Sequence, residues 1–156
     1  MGEPSTFSRS VRIDAPVEKV FAFHLDTRNA PEISPDGATF LAIEGDFPVS
    51  EGSIVELKVR QPPIPFPQTW RVRIGPIVEN ALVVDTAERS PFAEWRHEHR
   101  FEATPSGGTL MTDHITYRLP FGILGRIADR LLARRQLAAM FAERHAKTRA
   151  LMEDRD

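Results

Sequence analysis

The chain of 156 residues contains no cysteine, which excludes disulfides, a thiol nucleophile and any thiolate metal site. That suits a reducing compartment, and the cytoplasm is the expected location. No apolar run approaches the roughly 20 residues a membrane-crossing helix needs, so stable membrane insertion is not expected. The opening MGEPSTFSRS lacks a basic segment followed by an apolar one, and no secretory leader is read there. An excess of charge is lacking too. The formal net charge is −2, whereas a nucleic-acid partner would favour a basic surface, and none is expected. No G-x-S-x-G, phosphate loop or dinucleotide fingerprint occurs, and no cofactor is implied. The Gly107-Gly108 pair reads as turn punctuation.

What is present is a globular composition, 41% hydrophobic and 27% charged, at a length that suits one domain spanning 1–156. The stretch that organises it is EWRHEHRFEA, TPSGG, TLMTDHITYRL, from Glu94 to Leu119. Two alternating runs around a turn-forming cluster are the signal for a β-hairpin. One face of the first run carries Trp95, His97, His99 and Phe101, and one face of the second carries Met111, Asp113, Ile115 and Tyr117. With the loop centred on Ser106, Phe101 meets Met111, His99 meets Asp113, His97 meets Ile115 and Trp95 meets Tyr117. Imidazoles and a carboxylate on an aromatic face require a reason, because an unpaired buried polar group costs about 1–3 kcal/mol. Either His99 and Asp113 satisfy one another across the strands, or they line a cavity.

The rest of the chain supplies more strands. Thr6–Ile13 alternates as a strand, and Asp14-Ala-Pro16 introduces a short helix over VEKVFAFHL, with Asp14 able to cap it and Pro16 in its first turn. Asp26–Ala30 suits a second short helix, ended near Pro31 and again at Ser34-Pro35. Strands are expected over Ala38–Glu44, Ser53–Val59 and Thr69–Ile74, and then, after a turn at Gly75-Pro76, over Val78–Ala87. With the hairpin this makes seven strands without long helical crossovers, hence a largely antiparallel sheet. RQPPIPFPQ breaks regular structure; it is either a rigid connection or a lid over a cavity mouth.

From Ile123 to Glu153 the pattern is helical. Ile123, Leu124, Ile127, Ala128 and Leu131 form one apolar stripe; Leu137, Ala138, Phe141, His145, Thr148 and Met152 form another, rotated from it, with the change near Arg134-Arg135-Gln136. A bend is expected there. The seven basic residues Arg126, Arg130, Arg134, Arg135, Arg144, Lys147 and Arg149 read as an ordinary solvated face, or as a face for an anionic surface or ligand headgroup.

The segments VRIDAPVEKVFAFHLDTRNAPEISP, PFAEWRHEHRFEA with GGTLMTDHITYRLPFGILG, and RRQLAAMFAERHAKTRALME resemble the SRPBCC superfamily, which includes START domains and birch-pollen-type allergens. They are similar above all to its bacterial polyketide cyclase/dehydrase-like branch. The resemblance implies an α+β helix-grip fold: a curved, largely antiparallel seven-stranded sheet wrapped around a long C-terminal helix, with two short helices after the first strand. It also implies a cavity between sheet and helix for an apolar or amphipathic small molecule. In that branch the last segment often reads F-A-Y-R-H; here Glu143 replaces the tyrosine in Phe141-Ala-Glu143-Arg-His145, so no role of that tyrosine carries over.

On that reading Trp70, Trp95, Phe101, Tyr117 and Phe141 line the cavity, and His97, His99, Asp113 and His145 orient the ligand. Arg134 reaches the mouth and pairs with a ligand carboxylate. Three functions stay open: ligand binding, a cyclase or dehydratase in which His99 and Asp113 are the catalytic acid–base groups, and a protein-interaction module using the proline loop and basic helix. The H-x-H spacing of His97 and His99, with Asp113 and His145, suits zinc or iron in residue type, but spacing alone is weak and no metal is assigned. The oligomeric state is left as monomer or homodimer.

Overall fold

Strands Glu94–Ala103 (β6) and Thr109–Arg118 (β7) form the expected hairpin, with Trp95 opposite Tyr117, His97 opposite Ile115, His99 opposite Asp113 and Phe101 opposite Met111. All eight of these side chains are buried, while their neighbours along each strand are more exposed. The computed structural model describes residues 2–154. Around the hairpin it places β1 (Ser5–Ile13), β2 (Thr39–Glu44), β3 (Ile54–Arg60), β4 (Gln68–Val78) and β5 (Leu82–Arg89). The seven strands make one antiparallel sheet in the order β1-β7-β6-β5-β4-β3-β2.

Between β1 and β2 lie α1 (Val17–His24), a 3-10 turn (Thr27–Asn29) and α2 (Ala30–Ile33). Pro16 itself stands at the N-cap of α1, one position earlier than expected, so Asp14 is not the capping residue. Asp26 caps the 3-10 turn, accepting from the Arg28 backbone N–H at 3.0 Å. Pro31 does not end a helix. It sits in the first turn of α2, where its missing N–H is no loss, and the helix stops at Ser34-Pro35. The expected turn at Gly75-Pro76 is also corrected: β4 runs on to Val78, the sheet register shifts between Ile74 and Ile77, and the chain reverses around Asn80. Proline cannot donate to a ladder, and a bulge accommodates it within the strand.

The C-terminal helix is continuous in three parts, α3 (Gly122–Ala128), a π-turn (Asp129–Ala133) and α4 (Arg134–Glu153). The π-turn supplies the expected rotation of the apolar face, just ahead of Arg134. In α4 the buried residues Leu137, Phe141, His145, Thr148 and Met152 form one stripe against the sheet. A polar clamp fixes where this helix starts: Tyr117 of β7 donates a short hydrogen bond to one Asp129 oxygen, and Ser5 of β1 donates to the other at 2.5 Å. Gly125 is the tightest point of the joint. A Cβ there would lie well inside van der Waals contact of the Pro120 carbonyl oxygen and 3.1 Å from that of Leu119. Gly125→Ala is therefore expected to cost about 1–3 kcal/mol of stability by overpacking. The urea midpoint reads this out, and an unchanged midpoint would mean that the Leu119-Pro120 segment yields freely.

Apolar clusters close both ends of the space between sheet and helix. Val20, Phe21, Phe101, Met111 and Met152 fill one end, and Trp95, Ile115, Tyr117, Leu137 and Phe141 fill the other. Between them lies the site.

Candidate functional site: a histidine-floored cavity

Strand alternation puts His97 and His99 on the concave face of β6, Asp113 beside them on β7 and Asp85 on β5. Helix α4 lowers His145 onto the same point, and α1 brings His24 from the side. Asp113 is the hub. Its Oδ1 accepts from His97 Nε2 at 2.6 Å and its Oδ2 accepts from His145 Nε2 at 2.5 Å. His99 Nδ1 lies 3.3 Å from Asp113 Oδ1, close enough for charge attraction but not aligned as a hydrogen bond. His99 instead donates from Nε2 to Asp85 Oδ2 at 2.9 Å. The pairing expected between His99 and Asp113 thus holds as a strand register, while the hydrogen bonds of Asp113 go to His97 and His145.

The protonation pattern follows from these contacts. Asp113 is fully buried, which on its own raises a carboxyl pKa, but the surrounding imidazoles outweigh burial and hold it well below the usual range. Asp85 is held down by His99 and His97 in the same way. Burial alone would lower His99, yet the Asp113 and Asp85 carboxylates push it up to about 9, so it is a cation at neutral pH. His97 stacks on that cation with ring centroids 3.8 Å apart, and burial together with the His99 charge lowers its pKa. His24 is lowered to about 3 by burial and by His99. Its Nδ1 must donate to the Val20 carbonyl, 2.8 Å away, because a carbonyl only accepts. Neutral His24 therefore carries its lone pair on Nε2, and neutral His97, donating from Nε2, carries its own on Nδ1.

A cavity of about 1050 Å³ opens over this cluster. Of the ten residues named from the sequence, Trp70, Trp95, His97, His99 and Phe141 line it. The other five expected residues fall outside the lining. Phe101 packs edge-on against Phe21, Tyr117 is committed to Asp129, and Asp113 and His145 sit behind the histidines that face the space. Arg134 is exposed on the helix and lies outside the lining, whereas Arg144 one face away lines the cavity and sits over the Phe141 ring. The proline segment contributes Pro62, Pro63 and Ile64 to the wall, and Gln68 Nε2 is buried there without a partner among the described residues.

Sequence reasoning missed Asp85, His24 and Gln68, and named Arg144 only among the seven basic residues of the helix. Asp85 was readable in principle, since Val83, Asp85 and Ala87 alternate on one face as the β6 residues do. His24 follows Val20 by one helical turn. Asp85, His97 and His99 also offer three ligand atoms within 4.8 Å of one another, a set of suitable type for a transition metal. This grouping shares His97 and His99 with the set weighed from the sequence but has Asp85 in place of Asp113 and His145. A metal bound there would have to displace the proton shared by His99 and Asp85.

A family model described as polyketide cyclase / dehydrase and lipid transport matches residues 4–153. The chain belongs to this family. No curated protein matches the sequence. Among solved structures, protein CV1439 from Chromobacterium violaceum superposes with a TM-score of 0.75 at 16% identity, covering 97% of this chain and 100% of that one. A START superfamily protein from Mycobacterium smegmatis gives 0.70 at 13% identity, covering 97% and 98%. The di-domain ARO/CYC protein StfQ of the steffimycin biosynthetic pathway gives 0.76 at 17% identity, covering 97% of this chain and 51% of StfQ. At such identities the likeness shows the fold, which is the helix-grip fold of the START and SRPBCC superfamily. In this polyketide cyclase/dehydrase family member the grip is formed by β6 and β7 on one side and α4 on the other, held together through Asp113. No helix among the described residues is long and apolar enough to cross a membrane.

Proposed function

We propose that the protein binds an amphipathic small molecule, lipid- or polyketide-like, with its apolar body between Trp70, Trp95, Ile33 and Phe141 and its polar end on the histidine floor. The observation that carries this is the combination of a cavity of about 1050 Å³, a mainly apolar lining and the cluster of His24, Asp85, His97 and His99 on its floor. His24 Nε2 and His97 Nδ1 are acceptors, so the polar end should bear a hydroxyl or N–H donor. Gln68 Nε2 supplies a donor for a nearby carbonyl. The family supports a ligand of this class.

Uptake of Nile red, followed by its displacement with long-chain alcohols and with aromatic polyketide-like phenols, tests the reading. Ala133 lines the cavity and is only half-buried, so Ala133→Trp fills space without crushing the core. That variant is expected to weaken dye binding by about tenfold or more, the worth of roughly 1.4 kcal/mol. A parent protein that takes up no dye and retains no small molecule in native mass spectrometry would sink the proposal.

One observation favours a second reading, an enzyme of the cyclase or dehydratase type. A neutral acceptor (His24) and a protonated donor (His99) stand with ring centroids 5.9 Å apart beside one cavity, and titratable groups driven in opposite directions suit acid–base chemistry on a carbonyl substrate. Asp113, which does not line the cavity, would then be a positioning residue holding His97 and His145. Loss of turnover in His24→Gln with dye binding retained would separate catalysis from binding.

A further inference from the structure

The first apolar stripe of the helical region lies open on the surface. Phe121, Ile123, Leu124, Ile127, Leu131 and Leu132 are 82%, 67%, 72%, 49%, 68% and 55% exposed. Six large apolar side chains exposed within one short helical stretch are more than a folded surface ordinarily scatters. Arg126, Arg130, Arg134 and Arg135 are exposed on the same stretch, and none of them makes a hydrogen bond or ion pair among the described residues. Elsewhere the surface cations Arg71, Arg73, Lys147 and Arg149 are matched by carboxylates. The one acidic residue between Phe121 and Ala142, Asp129, is buried and occupied by Tyr117 and Ser5.

We propose that α3 and the π-turn form a docking face for an anionic lipid surface, laid flat with its apolar stripe among the acyl chains and its arginines on the headgroup phosphates. An interfacial helix requires an apolar stripe flanked by cations whose long side chains reach outward. Charge selects the occupant. A second copy laid on this face about a twofold axis would bring arginine rows together with no carboxylate between them, whereas a phosphate surface neutralises them. Position gives the face a purpose: Phe121 and Leu124 of the stripe also line the cavity, so the docked surface lies at its mouth and an apolar molecule can pass between them without crossing water.

Flotation of the full chain with vesicles of phosphatidylcholine alone, and of phosphatidylcholine with phosphatidylglycerol, tests this without any cavity ligand. Its failure would leave the cavity reading standing. The protein is expected to float with the anionic vesicles and to be released by added salt. Ile123 and Leu131 lie outside the cavity lining, so Ile123→Ser with Leu131→Ser should leave Nile red uptake unchanged while lowering vesicle binding by about tenfold or more. Arg126→Gln and Arg130→Gln should each lower binding to anionic vesicles by about fivefold. The proposal is overturned by equal binding to both vesicle types, by no binding to either, or by vesicle binding indifferent to the Ile123 and Leu131 changes. It is also overturned if that double variant instead dissolves a dimer seen by light scattering of a protein that ignores vesicles.

Discussion

Asp113→Asn is expected to lower the free energy of unfolding by about 3–5 kcal/mol, a large share of the roughly 5–15 kcal/mol typical of a domain. The carboxylate accepts on both oxygens, from His97 and from His145, at a site where all three groups are buried. An asparagine of the same shape offers one oxygen and one N–H₂, so one imidazole N–H then faces another donor. The His99 cation loses a nearby negative charge as well. Since His97 belongs to the sheet and His145 to α4, the loss falls on the grip itself. Urea denaturation gives the number directly. Asp85→Asn provides the contrast, because Asp85 is only partly buried and among the described residues its side chain hydrogen-bonds to His99 alone, and it should cost far less. An Asp113→Asn protein within about 1 kcal/mol of the parent would mean that apolar packing holds the helix without the hub.

Stability should peak near pH 6.5 and fall on both sides, because two histidines are shifted in opposite senses. His99 is raised from 6.5 to about 9, so the folded state holds its proton more tightly than the unfolded chain. Its contribution is complete below pH 6.5 and lost as pH rises to about 9, a loss of about 3 kcal/mol by linkage. His24 is lowered from 6.5 to about 3, so the folded state resists its protonation. That contribution is complete above pH 6.5 and drains away as pH falls toward 3. The lowered His97 acts in the same direction, and the depressed carboxylates of Asp85 and Asp113 withdraw their share as pH falls through and below 3.8. Urea midpoints taken across this range test the account. His99→Gln should flatten the alkaline limb and His24→Gln the upper part of the acid limb. A profile level from pH 6.5 to 9 would show that His99 is not held as a cation.

The parts of this architecture that were legible in the sequence are those specified by strict local periods. Alternation over Trp95–Phe101 and Met111–Tyr117, with a loop of fixed length between, sets one register and hence the neighbours of His97 and Asp113. The neighbours of His99 across β5 were not legible in the same way. That register is set by the connection at residues 90–93, whereas a Gly75-Pro76 pair with the composition of a turn pointed to a strand over Val78–Ala87 in place of Leu82–Arg89. Helical periodicity located the stripe from Ile123 to Leu131 but carried no information about what covers it, and the structure leaves it open. Tyr117 shows a third limit. Its strand face was evident, but its partner Asp129 lies on a π-turn that no pattern announces, so a clamp residue looked like cavity lining.

The position of β1 has a consequence for how the chain is made. Among the described residues its one partner in the sheet is β7, with Ser5 opposite Tyr117 and Ile13 opposite Thr109. On the ribosome, β1 emerges before the other six strands of this sheet and must therefore wait until the last of them, β7, is made before its partner exists. Until then its backbone donors and acceptors are offered to water or to another nascent chain. The first and last strands of the sheet fasten the two sides of one seam, so assembly is dominated by long-range closure and should be slow for a protein of this size.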